Sequence, residues 1–261
     1  MMNMVKMKRI KLFPAALAAL LLASACTHDF QTKTFKYEDT VAAEQLDAEC
    51  QVSCSFQYIS GGVSQEVQDV INTAIVANHI LYDEANGSSD VPAACEQWVN
   101  STLESYRYDV EDFASDYDND DAWMFNFEFS RTGMFGDACK SRHLQSYQVS
   151  YHEYTGGAHG MSGVAVDVFD MSTGEIIAED YLFKAGYTKG VSELLSAALE
   201  KYLAETEEDP EVMFSDPEPN ANFSVSDAGV TWIYNPYEIA PYALGIIELT
   251  VSWADLQPYL K

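Results

Sequence analysis

His152, Glu153 and His159 are the residues whose types could together hold a metal ion or move a proton. A zinc site of the helical kind uses H-E-x-x-H, so that one turn presents both rings on one face. Here His152-Glu153 is followed by His159, and the alternation of Tyr147, Val149 and Tyr151 just before them belongs to a strand. On a strand that spacing does not gather a zinc trio, and five histidines in all leave little else to build from. Asp116-Tyr117-Asp118-Asn119-Asp120-Asp121 is spaced like the opening of a calcium loop. Its sixth position needs Gly and has Asp121, and its twelfth needs a bidentate Glu and has Phe127, so it reads as an exposed acidic loop. Neither G-x-S-x-G nor G-x-x-x-x-G-K occurs. No catalytic residue, metal site or cofactor is assigned. Pairing His159 with Glu153 or Glu238 is the acid–base arrangement left, and it requires them to meet in a cleft.

Two other segments concentrate Gly, Pro and Tyr at strand ends. The first is Tyr154-Thr155-Gly156-Gly157-Ala158-His159-Gly160. Its glycines permit positive φ and close backbone approach, so the chain can turn sharply there and expose N–H groups beside His159. The second runs from Tyr234 through Asn235, Pro236, Tyr237, Glu238, Ile239, Ala240, Pro241 and Tyr242 to Gly245. Prolines stiffen this loop, and tyrosines offer broad amphipathic contact at low entropic cost, as at protein-binding surfaces. Either segment could instead be a structural turn packing its own side chains.

The thiols divide into one and four. Cys26 follows Ala23-Ser24-Ala25, an apolar run from Leu12 to Leu22, and a start bearing Lys6, Lys8, Arg9 and Lys11 with no acid. That is the layout of an export signal, and the run is shorter than the roughly 20 residues of a spanning helix. A Cys in this place resembles a bacterial lipoprotein signal, so Cys26 is expected to carry a lipid. Ala23-Ser24-Ala25 also fits ordinary A-x-A cleavage. Cys50, Cys54, Cys95 and Cys139 form an even set, which in an oxidising compartment predicts two disulfides. Cys50 and Cys54 sit about 13 Å apart if their segment is a strand, beyond the roughly 7 Å a disulfide tolerates. One is therefore expected to reach Cys95 and the other Cys139.

The chain has 14 basic and 41 acidic residues. Loss of the four bases before Cys26 leaves 10 against 41, a formal charge of −31 on 236 residues. Such a surface repels nucleic acid and anionic lipid and steers basic proteins toward it. No stretch after Cys26 is long and apolar enough to span a bilayer, so the membrane is met through the anchor alone.

The elements follow from periodicity. Polar residues 27–43 read as tether. A strand at 48–59 precedes a helix at 64–82 that Ser64 can cap, and a second helix carries Pro92 in its first turn. Trp123, Phe125, Phe127 and Phe129 alternate as a strand, 131–143 as a connection, and 147–154 and 164–168 as further strands. A helix at 188–204, a hairpin through Asp227-Ala228-Gly229, a strand at 246–253 and a short terminal helix complete the chain. Runs of strands with helices between them predict an α+β fold, with antiparallel sheets, helices packed on one side, and two subdomains of similar size.

The segment from Tyr154 to about Tyr259, with the two Gly- and Tyr-rich stretches and Asp170-x-x-Thr173-Gly174-Glu175 between them, resembles the RsiV-type extracellular C-terminal domain family. That domain forms the ectodomain of a lysozyme-sensing anti-sigma factor and also occurs attached to peptidoglycan deacetylases. After the signal at 1–25 and the lipid-anchored tether at 26–44 that the N-terminal layout predicts, the resemblance implies a companion α+β domain at 45–150 and the RsiV-type domain at 151–261. It implies a non-enzymatic binding module outside the cytoplasm, on an outer membrane or cell surface. A basic protein such as a lysozyme, or peptidoglycan, would be its partner. Tyr154, Thr155, Gly156, Gly157, His159, Gly160, Tyr234, Pro236, Tyr237, Glu238, Pro241 and Tyr242 would make the contact surface. A peptidoglycan-directed enzyme or accessory and a structural envelope lipoprotein are the alternatives.

Overall fold

Thirteen residues from Gln31 to Ala43, with polar side chains at most positions, form the first strand. The computed structural model describes residues 30–43, 46–82, 86–113, 119–206 and 215–261. Cys26, the export signal, Asp116 and Asp118 lie outside these. β1 (Gln31–Ala43) pairs along its whole length with β2 (Ala48–Gly61). The tether expected over 27–43 is thus mostly strand. Its Thr, Lys and Glu residues mask the alternation, because β1 is a sheet edge with most positions only partly buried.

β2 is followed by α1 (Gln65–Ile75), whose N-terminus is capped by Ser64 accepting from Val67 N–H at 3.3 Å. Val67, Ile71 and Ile75 line its inner face at helical spacing. The helix then widens into a single π turn, Val76–Ile80, closed by Leu81 N–H donating to the Val76 carbonyl at 2.9 Å. α2 (Val91–Phe113) starts on Asp90, whose carboxylate accepts from Ala93 N–H. Its apolar face, with Cys95, Trp98, Val99 and Tyr106, covers β2.

β3 (Phe127–Cys139), β4 (Leu144–Thr155) and β5 (Met161–Asp170) complete a sheet in the order β1-β2-β3-β4-β5. The β2–β3 pair is parallel because α1 and α2 carry the chain back between them, so the sheet is mixed rather than wholly antiparallel. The connection expected over 131–143 is largely strand β3, and the expected division at residue 150 falls inside β4. Short α3 (Glu179–Leu182) and α4 (Thr188–Thr206) lead to a second antiparallel sheet of β6 (Phe223–Val225), β7 (Gly229–Tyr234) and β8 (Ile247–Ser252). α5 (Trp253–Leu256) follows. The α+β class is as the element pattern predicts.

Two cores result, on opposite faces of the large sheet. Phe56, Ile71, Ile75 and Tyr147 pack under α1 and α2, whereas Val164, Val166 and Val168 face Trp232, Leu249 and the inner side of α4. The end of the first helix is latched to the sheet. Arg131 donates to the His79 and Ile80 carbonyls at 3.2 Å, with its guanidinium between the Trp98 and Tyr82 rings. His79 Nε2 meets the Asp167 carboxylate at 2.9 Å.

The expected disulfides are not formed: Cys50, Cys54, Cys95 and Cys139 are all free and buried. Cys50 and Cys54 do lie with Cys95 of α2 in the first core, and Cys54 is the neighbour that raises the Cys95 thiol. Cys139 cannot join them. A bulge between Phe135 and Ala138 turns it to the other face, where it pairs with Leu144 in the second core. Burial pushes the Cys50 thiol up to about 12 and the Cys95 thiol well above its ordinary range, which keeps both protonated and inert. A chromogenic disulfide reagent added to the chain from Thr27 onward is expected to react with four thiols after unfolding without reductant, and with almost none in the folded state. A count of two or zero after unfolding would contradict this arrangement.

Candidate functional site

The β4–β5 turn and the β7–β8 connection come together at one end of the molecule, and asparagines bring them there. Asn235, the first residue after β7, accepts from Val164 N–H at 2.7 Å and donates to the Val164 carbonyl at 3.1 Å. Asn222 does the same for Val166 N–H and the Val164 carbonyl, at 3.0 and 2.9 Å. Their amides thus occupy the outer edge of β5 as a neighbouring strand would. The 235–246 loop is pinned beside the start of β5, where the 156–160 turn also lies.

The turn is built on Gly156. Its φ is +82°, and a Cβ there would come within 2.4 Å of the Met124 carbonyl oxygen. The close approach packs the turn against the short 3₁₀ segment Asn119–Phe125. Tyr154 closes the turn by donating to the Gly157 carbonyl at 3.0 Å. Gly156→Ala is expected to cost about 2–4 kcal/mol, from the positive φ and the backbone clash together. It should shift the ring signals of His159 and Tyr242 in NMR spectra while leaving the helical circular dichroism intact.

Across the gap, Tyr242 donates to the Gly160 carbonyl at 2.8 Å, and its ring stacks on His159 with centroids 4.3 Å apart. Tyr237 lies 5.6 Å from Tyr242, tilted, and is 60% exposed. Its backbone sits at φ +73°, held by Tyr237 N–H to the Ala240 carbonyl and Glu238 N–H to the Asn235 carbonyl. A bulky residue in the left-handed region is an outlier, and here it holds an aromatic ring out in solvent. Beside these rings is a cleft of about 270 Å³ lined by Ser162, Pro236, Tyr242, Ala243, Gly245 and Ile246.

The remaining expected contact residues separate into two groups. Thr155, Pro241 and Glu238 are exposed at this end, with Glu238 accepting from Asn220 at 3.1 Å. Tyr234 is instead a core residue, 2% exposed, with its hydroxyl donating to the Glu218 carbonyl. The acid–base pairing of His159 with Glu153 or Glu238 is not formed. His159 Nδ1 lies 3.0 Å from the Gly160 carbonyl, and Glu153 faces Arg131 at 3.8 Å. His152 is engaged with Ser162 at 2.8 Å. Among the described residues no three His, Cys, Asp or Glu side chains are placed to share a metal ion.

Sequence reading missed Trp123 and Met161, which are 52% and 41% exposed. Trp123 adjoins the Met124 carbonyl that Gly156 approaches, and Met161 opens β5. Trp123 reads as an ordinary strand residue in the sequence, and Met161 falls between the two expected strands. The asparagines at 220, 222 and 235, which flank the hairpin, were the one signal available for the docking.

Charge is distributed unevenly along the sheet. Asp47, Glu49, Glu128, Glu153 and Glu238 are exposed at the loop end. Tyr151 is held above its ordinary range by burial and then by Glu153 and Glu238, which places both carboxylates near this end of β4. Lys33, Lys140 and Arg142 lie at the opposite end, with the start of β1 and the β3–β4 turn. The length of β4 sets the two ends about 35 Å apart.

Comparison with known proteins fits this architecture. Residues 180–254 match the model of a family described as a protein of unknown function, DUF3298. The match includes the 235–246 loop but not the 156–160 turn. A DUF3298 family member from Bacteroides fragilis has a similar crystal structure, with a TM-score of 0.77 at 20% identity, over 89% of this chain and 94% of that one. A DUF3298 family protein from Pseudomonas aeruginosa is similar with a TM-score of 0.61 at 16% identity, over the same shares. At these identities the likeness establishes the fold. No curated protein matches the sequence.

Proposed function

We propose that this chain is an extracytoplasmic binding module that captures a basic, lysozyme-like protein at its two-loop end. The observation that carries this reading is the convergence of exposed Tyr237, Trp123 and Met161 with five exposed carboxylates at one end of the sheet. An aromatic and apolar centre with a charged rim is how protein-binding surfaces are composed. The resemblance of Tyr154–Tyr259 to the RsiV-type ectodomain supports the same class of partner, as does the formal charge of −31 after Cys26. A partner with a positive face would be drawn to this end first and held by the rings afterwards.

The polarity of the fold suits an anchor on Cys26. Four residue steps, at most about 14 Å of chain, separate Cys26 from Phe30, which is buried against Phe135 at the far end of the sheet. A lipid there would hold that end at a bacterial membrane and direct the loops away from it. Among the described residues no helix is long and apolar enough to cross a bilayer. The test of the reading is saturable binding of a basic lysozyme to the chain that is lost on substitution of the loop tyrosines. Binding of peptidoglycan fragments with lysozyme silent would replace it by a cell-wall ligand.

A further inference from the structure

Resting on that reading, we infer that the cleft beside Tyr242 is a guanidinium socket, which takes an arginine side chain of the partner as its central anchor. The cleft walls are apolar, formed by Pro236, Ala243 and Ile246, and suit the aliphatic stem of a long side chain. Beside its mouth are the rings of Tyr237 and Tyr242, whose centroids are 5.6 Å apart, with His159 stacked behind Tyr242. A planar cation laid against tyrosine faces is attracted by their quadrupoles, and arginine stacks in this way better than the compact ammonium of lysine. The same fold already uses this arrangement internally, where Arg131 lies between Trp98 and Tyr82 at 4.4 and 5.0 Å. Glu238 follows Tyr237 directly and is exposed; one of its oxygens accepts from Asn220 at 3.1 Å, which leaves the other for the head group. Neither loop contains Lys or Arg that could fill the place from within. Charge complementarity therefore favours a cationic occupant over a neutral apolar side chain or a sugar.

The strained conformation at Tyr237 serves this geometry. With φ at +73° the residue presents its ring beside Tyr242 and leaves Pro236 on the cleft wall.

The test uses the full chain in non-ionic detergent, titrated with Nα-acetyl-arginine amide while the tyrosine and histidine ring resonances are followed. Nα-acetyl-lysine amide, Nα-acetyl-leucine amide and methyl β-glucopyranoside serve as competitors of other chemistry. Arginine amide is expected to shift the Tyr237, Tyr242 and His159 rings in a saturable way. Tyr237→Leu should weaken it about tenfold and Glu238→Gln about threefold. Equal or tighter binding by the leucine amide or the glucoside would overturn the socket, as would a Tyr237→Leu variant that binds unchanged. A second arm separates this inference from the reading it rests on. A basic lysozyme is compared in native form, with its arginines capped by cyclohexanedione, and with its lysines acetylated. A much larger loss on arginine capping supports the socket. Equal losses overturn it, while a continuing dependence on Tyr237 leaves the binding function standing.

Discussion

Glu179→Ala is expected to lower the unfolding free energy by about 3–5 kcal/mol. Glu179 opens α3 and is 7% exposed, yet it accepts three hydrogen bonds. Trp232 Nε1–H reaches one oxygen at 2.7 Å and Ala221 N–H reaches the same oxygen at 3.2 Å, while the Tyr187 hydroxyl holds the other. Alanine would leave the buried Trp232 N–H without an acceptor, at about 1–3 kcal/mol, take their shared partner from the part-buried Tyr187 hydroxyl and Ala221 N–H, and open a void beside Trp232. The rings around it, Phe183 stacked on Tyr187 and on Trp232, would lose their registration. Glu179→Gln keeps the volume and one acceptor, and should cost about half as much. Denaturant melts at unchanged m-value measure both. A loss below 1 kcal/mol for the alanine variant would show that the carboxylate is not the keystone the geometry makes it.

The second large effect falls on binding and not on stability. Tyr237→Gly is expected to leave unfolding unchanged or to raise stability by up to about 1 kcal/mol, because glycine accepts φ +73° without strain. The same change removes an exposed anchor ring and should weaken capture of a basic partner about 30-fold, the equivalent of about 2 kcal/mol. Dissociation should carry most of that change, since steering by the carboxylates is untouched. Tyr242→Phe keeps the stacked ring but removes the bond to the Gly160 carbonyl. It is expected to cost about 1 kcal/mol in stability and to loosen the two loops against each other. If Tyr237→Gly bound its partner as tightly as the parent, the loop would be a structural turn and the surface would lie elsewhere.

Much of this was legible in the sequence where a single period governed burial. α1, α2 and α4 follow from apolar residues at helical spacing, and β2, β4 and β5 from alternation that one buried face imposes. β1 was hidden because an edge strand leaves most of its side chains partly exposed, so composition looked like tether. β3 was displaced because its outer half carries Gly133 and Gly136. Gly133 leaves room for Phe56 and Tyr147, a close approach that resembles a turn when only the sequence is read. The bulge before Cys139 has no local signature either, and it is what removes that thiol from reach of the others. The two loops were identifiable from Gly, Pro and Tyr density. Their junction was not, since it depends on Asn222 and Asn235 imitating a strand 56 and 71 residues away in sequence. Tyr234 shows the converse: density suggested contact, and register placed it in the core.

On the proposed reading, the loop end captures a basic protein through shape and rings after charge has drawn it in. Calorimetric titration of the chain from Thr27 onward with a basic lysozyme, at low and at moderate salt, tests it most directly. Saturable binding is expected at both, with affinity falling modestly as salt screens the approach, and loss of the salt-resistant part in Tyr237→Gly. Binding that vanishes at moderate salt, or that Tyr237→Gly leaves intact, would reduce the attraction to bulk charge and contradict the assignment of these loops.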